Sequence, residues 1–430
     1  MPITETLRRG TVAALSALLW LAAAIPALSA TAKEVADTYA NIALAAYEDS
    51  TVRAKALKTA IERMIADPTD GHLAAARTAW IAARVPYMQT EAYRFGNKIV
   101  DDWEARVNAW PLDEGLIDYV APEYGTSSES NPLYAANVIA NKSLTVGGRK
   151  VDASTITKEL LADTLQEAER IEANVATGYH AIEFLLWGQD LNGTDAGAGN
   201  RPVTDFDLKR CTGGNCDRRI AYLRVATDLL IEDLEEMVGK WKPDGEARTA
   251  LTADGTDPLT VIFKGLGSLS YGELAGERMK LGLLLNDPEE EHDCFSDNTH
   301  NSHYYNVIGM ENVYFGRYTR IDGTTVSGPS VSDLVKAKSA EIDGRVRAAL
   351  AETNKRMTTL KTRAETKEAY DQMLGEGNKE GNAVIEAAIA ALIAQTKEFE
   401  RAVGVLELKA IEFEGSDSLD APDKALSGKK

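Results

Sequence analysis

Histidine is scarce in this chain. Only five occur among 430 residues, and three of them fall between His292 and His303. Cysteine is scarcer still: three residues are too few for a disulfide-built scaffold. There is no cationic excess. Lysine and arginine number 47 against 66 acidic residues, a formal net charge of −19. That balance argues against nucleic acid and against anionic membrane surfaces as partners. Beyond residue 30 no apolar run is long enough to span a bilayer. No stretch shows sustained period-2 alternation with turn signals, which leaves an all-α fold.

What is there is globular: 44% hydrophobic and 26% charged residues, with length for two or three ordinary domains. Arg8 and Arg9 precede a largely apolar run from Thr11 to Leu28, and Leu28-Ser29-Ala30 is an imperfect small-x-small site. This pattern predicts a secretory signal over residues 1–30, cleaved near Ala30, and a periplasmic or secreted protein. The next residue is Thr31, so no lipid-bearing cysteine is indicated there. Cys211 and Cys216 enclose Thr-Gly-Gly-Asn, a turn-forming stretch that a disulfide can close; a metal clip is the alternative reading. Cys294 is left over, as a buried thiol or a ligand.

The stretch Gly178-Tyr-His180-Ala-Ile-Glu183-Phe-Leu-Leu-Trp187-Gly188 organises the rest. It sets an imidazole and a carboxylate three residues apart in an apolar segment. On a helix they are neighbours on one face, and an apolar helix is buried. Buried polar groups need partners. A His–Glu hydrogen bond that holds two helices together is one answer, and a metal ion is the other.

In chain order, helical spacing runs from Ala32 to Ala66 and again from Gly71 to about Phe95, with a kink expected at Pro86. Trp80, Arg84, Tyr87 and Glu91 step by four, three and four, so they share a face. That face lines a cleft or forms an amphipathic boundary. Val107 to Asp113 reads as a packed turn, residues 121–150 as surface loop, and Asp152 to Trp187 as helix. Leu191–Asp217 reads as loop, Arg218–Trp241 as helix, and 246–285 as helix interrupted at Gly265-Leu-Gly267. A short helix over 304–318 and long ones over Ser332–Leu360 and Asn382–Val405 follow. The domains expected are bundles over 32–210 and 217–414, with a disordered tail over 415–430.

Glu273 and Glu277 crowd one helical face unless a cation sits between them. Asp287 to His303 packs three histidines among six carboxylates, a donor set suited to a first-row metal or to a solvated acidic loop. Within it Asp297 and His300 repeat the three-residue spacing. Laying His180–Gly188 over Ile308–Gly316 aligns Glu183 with Glu311, Trp187 with Phe315 and Gly188 with Gly316. This suggests an internal duplication, with two four-helix-bundle-like domains facing across a cleft.

Four segments in this order resemble the imelysin family, in its iron-regulated protein A-like branch. They are Gly178-Tyr-His180-Ala-Ile-Glu183, similar to that family's G-x-H-x-x-E signature; Trp80 with Glu91-Ala-Tyr-Arg-Phe-Gly96; Asn108-Ala-Trp-Pro-Leu-Asp113; and Glu291-His-Asp-Cys-Phe-Ser-Asp-Asn-Thr-His300. The resemblance implies an exported, all-helical protein of bacterial iron uptake or iron response, with the His–Glu motif near an inter-domain cleft. Three functions are carried forward. The first is iron binding, with one or two ions (zinc as the alternative) held by His180 and Glu183. Glu91, Glu273, Glu277, Asp297 and His300 are the further candidate ligands, and an iron chelate or envelope iron-uptake components the partners. The second is a metallopeptidase, although the H-E-x-x-H of the familiar zinc peptidases is absent. The third is haem or siderophore binding on Trp80, Tyr87, Trp110, Tyr179 and Trp187.

Overall fold

The computed structural model describes residues 30–427, so nearly all of the expected leader lies outside the described residues. Within them the regular structure is helical apart from two small antiparallel hairpins, with irregular segments between. Helix α1 (Ala32–Ala66) starts at a capping box: Thr31 accepts from the Glu34 amide while Glu34 accepts from the Thr31 amide. Helix α2 (Asp70–Met88) is capped by Thr69 and runs through Pro86. The expected extension to Phe95 fails. After Met88 the chain turns, and Glu91–Tyr93 is a separate 3₁₀ turn.

Helix α3 (Lys98–Asn108) leads into the irregular segment that precedes α4 (Gly178–Trp187). The long helix expected over 152–187 is therefore mostly absent. A π-helical turn at Leu160–Leu165 ends at Gln166. The Gln166 side chain accepts from the amides of Ala176 and Thr177 and donates to the Ala105 carbonyl. Side chain–backbone bonds of this kind compete with a helical ladder. The expected 121–150 loop extends into hairpin β1 (Ser143–Val146)–β2 (Arg149–Asp152), joined by Gly147 and Gly148, both at positive φ. The second hairpin, β3 (Arg317–Thr319)–β4 (Thr325–Ser327), takes up part of the loop expected over 323–330.

Helix α5 (Cys216–Trp241) begins at the Cys211–Cys216 disulfide. Helix α6 (Pro258–Ser268) continues without a break into a π-helix, Leu269–Lys280. Gly265 and Gly267 do not interrupt it. They admit neighbours: a Cβ on Gly265 would meet the Ala92 carbonyl oxygen at 2.2 Å, and one on Gly267 the Phe413 ring at 2.4 Å. Helix α7 (Thr299–Phe315) starts five residues earlier than expected. Helices α8 (Val331–Lys338) and α9 (Ala340–Thr366) are split at Ser339, whose hydroxyl caps α9 at Ile342. Helix α10 (Lys379–Val405) is the last of the long helices.

Helices α1, α2 and α5 pack together, and α7, α9 and α10 pack with the π-helix. Helix α2 touches both α4 and α7, and the buried apolar residues of both groups form one connected core. The aligned copies share only their ends: α4 and α7 each stop at a glycine of positive φ, Gly188 and Gly316. Glu183 is fully buried on His180, whereas Glu311 meets Asn354 at 3.0 Å. The tail is not disordered over 415–427. It forms two short helices, and Ser418 donates to the Gly276 carbonyl while Tyr271 donates to Asp420.

Candidate metal centre

Helix α4 is set against α3 by the first residue of the motif. Gly178 has φ +82°, and a Cβ there would lie 2.5 Å from the Val107 carbonyl oxygen. Only glycine meets both demands. Two residues on, His180 Nδ1 lies 2.9 Å from Glu183 Oε2, with neither side chain exposed. The other Glu183 oxygen accepts from the Ser296 amide at 3.1 Å and the Ser296 hydroxyl at 2.6 Å. Glu183 is thus fully engaged, and it fixes the ring of His180. His180 Nε2 is buried with no hydrogen-bond partner.

His292 and Asp293 come to His180 from the loop before α7. The two imidazoles stand 4.9 Å apart, ring centre to ring centre. One donor atom from each of His180, His292 and Asp293 lies within 4.8 Å of the other two. That is about the span of two metal–ligand bonds.

Arg84 organises the surroundings. Its guanidinium donates to Asp293 Oδ1 at 2.7 Å and to Asn108 Oδ1 at 2.5 Å, and lies over the rings of Trp80, Tyr87 and Tyr179. Arginine has no acceptor, so the oxygen of Asn108 must face it. The Asn108 amide then faces His292 Nε2 at 3.3 Å and Glu104 at 3.0 Å. The second Asp293 oxygen accepts from Asn298 and Ser302.

Burial lowers the basicity of His180 and His292 well below the ordinary histidine value, and Arg84 acts on both in the same direction. Burial also pushes the Glu183 carboxyl well up, with Asp293 adding to it. Burial works against Asp293 as well, but Arg84, the neighbouring His180 and the hydrogen bonds from Ser302 and Asn298 together hold that carboxyl below its usual range. The centre therefore offers two neutral imidazoles and one carboxylate.

His292 reaches the floor of a cleft of about 530 Å³, lined among others by Arg94, Glu104, Trp110, Glu273, Glu277 and Arg278. The sequence-derived candidates part company here. Glu91 binds Arg278 at 2.6 Å, and Glu273 binds Arg278 at 2.7 Å and Arg94 at 3.1 Å. Glu277 lies on the cleft wall, where burial raises its carboxyl. Asp297 joins Asp190 and Asp371 in a separate acidic group. His300 Nε2 meets the Asn301 amide at 3.0 Å. The i,i+3 argument fails for Asp297 and His300. Asp297 stands at φ +55° before α7 begins, so the two share no helical face.

Of the aromatic residues considered for a planar ligand, Trp80, Tyr87 and Tyr179 are fully buried around Arg84, and Trp187 packs on Trp80. Trp110 alone of the five lines the cleft, with its edge on His180 at 5.1 Å. Spacing missed His292 and Asp293 as neighbours of His180, Asn108 as the partner of Arg84 and His292, and Ser296 as the partner of Glu183. The density of donors between 287 and 303 marked the right stretch without choosing among them.

By fold the chain is similar to a crystal structure assigned as an iron-regulated protein A precursor from Parabacteroides distasonis. The TM-score is 0.60 at 18% identity, over 89% of this chain and 96% of that one. It is also similar to an imelysin-like protein from Psychrobacter arcticum, with a TM-score of 0.56 at 14% identity, over 88% and 98%. Identities this low speak for the fold alone. In sequence it is 24% identical over 296 residues to iron-regulated protein A of Synechococcus elongatus, which takes in 66% of this chain. The chain spans 63% of that relative's length. The family model described as imelysin, peptidase M75, matches residues 43–399. With most of its length matched and the His180–Glu183 motif at its centre, the chain belongs to the imelysin family.

Proposed function

We propose that this is an exported iron-binding protein of bacterial iron uptake or homeostasis, whose metal is held by His180, His292 and Asp293 at the base of the cleft. The observation that carries the reading is the partnerless, buried Nε2 of His180, with a second imidazole and a carboxylate in coordinating reach. Two imidazoles and one carboxylate suit ferrous iron, and the same donors accept zinc. Glu183 orients His180 through its other nitrogen, the usual role of a carboxylate behind a ligating histidine. The names of the relatives from Synechococcus elongatus and Parabacteroides distasonis agree with a role in iron response. The leader pattern and the Cys211–Cys216 disulfide support export. Among the described residues no helix is long and apolar enough to cross a membrane.

Anaerobic titration of the chelator-stripped protein with Fe(II) tests this. One saturable equivalent, lost in His180→Ala and in His292→Ala, is expected. Absence of saturable binding in the folded protein refutes it. Hydrolysis of a peptide library by the metal-replete protein, abolished in His180→Ala, would favour a peptidase instead. Glu183, already bonded to His180 and Ser296, is badly placed to serve as its base.

A further inference from the structure

Close to the His292–Asp293 loop, on residues that do not line the cleft, lies a second and chemically different group. Asp190, Asp297 and Asp371 each bring a carboxylate oxygen within 4.8 Å of the other two. Glu291 and Asp371 are 1% and 2% exposed, and all four of their carboxylate oxygens lack a hydrogen-bond partner. The Thr299 hydroxyl acts on the Glu291 carboxyl, and the backbone amides of Gln372 and of Asp371 itself on that of Asp371, but none makes a hydrogen bond of full geometry. One oxygen of Asp297 is also buried without a partner. Among the described residues none of the four carboxylates makes an ion pair with a lysine, arginine or histidine. Asp190, Glu291 and Asp371 share the wall of a small cavity of about 10 Å³ with Cys294, room for roughly one water-sized body.

Carboxylates buried with neither a donor nor a counter-charge are costly. We propose that Asp190, Glu291, Asp297 and Asp371 form a structural site for one hard divalent cation of the Ca²⁺ class. It fastens the loop bearing His292 and Asp293 to the end of α4 and to the short helix Tyr370–Leu374. The donors are oxygens, which selects hard cations over soft ones. Mg²⁺ keeps several of its waters, and the cavity has no room for them; Ca²⁺ sheds water and accepts irregular carboxylate cages. The three anchored segments are distant in sequence: Asp190 follows α4, Glu291 and Asp297 flank the His292 loop, and Asp371 follows α9.

The test uses the whole chain stripped with chelator, titrated calorimetrically with CaCl2 and melted with and without it. One equivalent of Ca²⁺ and a rise in Tm are expected. Asp371→Asn weakens Ca²⁺ binding by at least about tenfold. Without Ca²⁺ that variant melts no lower than the parent, because it removes one of the crowded charges. His180→Ala and Cys294→Ser keep the Ca²⁺ response. The proposal is overturned by any of four results: no saturable binding up to on the order of 10 mM Ca²⁺; an unchanged response in Asp371→Asn; Mg²⁺ binding as tightly as Ca²⁺; or preferential Zn²⁺ binding that Cys294→Ser abolishes, which would mark a softer thiolate site.

Discussion

Glu183→Gln separates a His–Glu pair that merely holds helices together from one that prepares a ligand. Glu183 accepts from Ser296 with one oxygen and faces His180 Nδ1 with the other. In the Glu183→Gln variant the two Ser296 donors keep the amide oxygen on their side, so the NH2 group turns toward His180. An NH2 group only donates. His180 Nδ1 must then accept, which places the imidazole proton on Nε2 and removes the one lone pair left without a partner. The native carboxyl differs because it can give up its proton and let Nδ1 carry one, whereas an amide cannot. Metal binding to the parent should accordingly release about one proton. Loss of such an orienting carboxylate costs about 10- to 100-fold in metal affinity, or about 1.4–2.7 kcal/mol. The variant is nearly isosteric and keeps the Ser296 bonds, so its folding stability should stay within about 1 kcal/mol of the parent. Fe(II) titration gives the affinity, and ¹⁵N NMR of the imidazole nitrogens reads the tautomer. An unchanged affinity together with a reversed tautomer would refute the assignment of His180 Nε2 as a metal ligand.

Two further outcomes follow from the same burial. Arg84→Met leaves Asp293 buried beside only neutral donors; breaking such a pair costs about 3–5 kcal/mol, whereas Arg84→Met with Asp293→Asn should recover most of it, and a denaturant double-mutant cycle showing no coupling would contradict the pairing. His303 is fully buried with both ring nitrogens unpartnered, and burial lowers it to about 3. A depressed folded value means stability that is present above the ordinary histidine value and lost as the pH falls from about 6.5 toward 3, up to about 4–5 kcal/mol for this residue. His303→Leu should remove that share, so that unfolding near pH 5 takes up about one proton fewer; an unchanged pH slope would show that His303 titrates normally.

The sequence carried the helices wherever the signal was local. Thr31 with Glu34 sets the start of α1, and Asp67-Pro68 its end. Where the deciding partner lies far along the chain, the pattern was silent. The residues after Glu414 read as a polar tail outside the bundle, yet Ser416, with Phe413 and Glu414 just before it, lies along Gly267, Gly272 and Gly276, each of which approaches closer than a Cβ would allow. Gly267, read as part of a helix interruption, is with Gly272 and Gly276 a seat for this C-terminal segment. The stretch 152–187 failed for a related reason. Helical periodicity is present there, but Gln166 offers the backbone of Ala176 and Thr177 an alternative to a ladder.

The site shows the same division between what spacing can and cannot determine. His180 and Glu183 sit on one helix, so their separation alone brings them together. His292 and Asp293 sit in an irregular loop, where spacing says nothing and only the fold decides which side chain turns inward. Charge bookkeeping bears on two of the other candidates. Glu91 was a candidate from the mixed face it shares with Trp80, Arg84 and Tyr87, and Glu273 from its crowding with Glu277. Arg278 and Arg94, 187 and 179 residues away from them respectively, already neutralise them. Asp371 was invisible for the converse reason: an isolated acid in the sequence becomes informative only when Asp190, Glu291 and Asp297 are found beside it with no cation in between. An arginine of the cleft wall already answers Glu91 and Glu273; Asp293 also faces Arg84, but it stands beside the unpartnered Nε2 of His180. A buried acid without an arginine asks for a counter-charge, and in this chain that difference separates the cleft wall from the group close to the His292 loop.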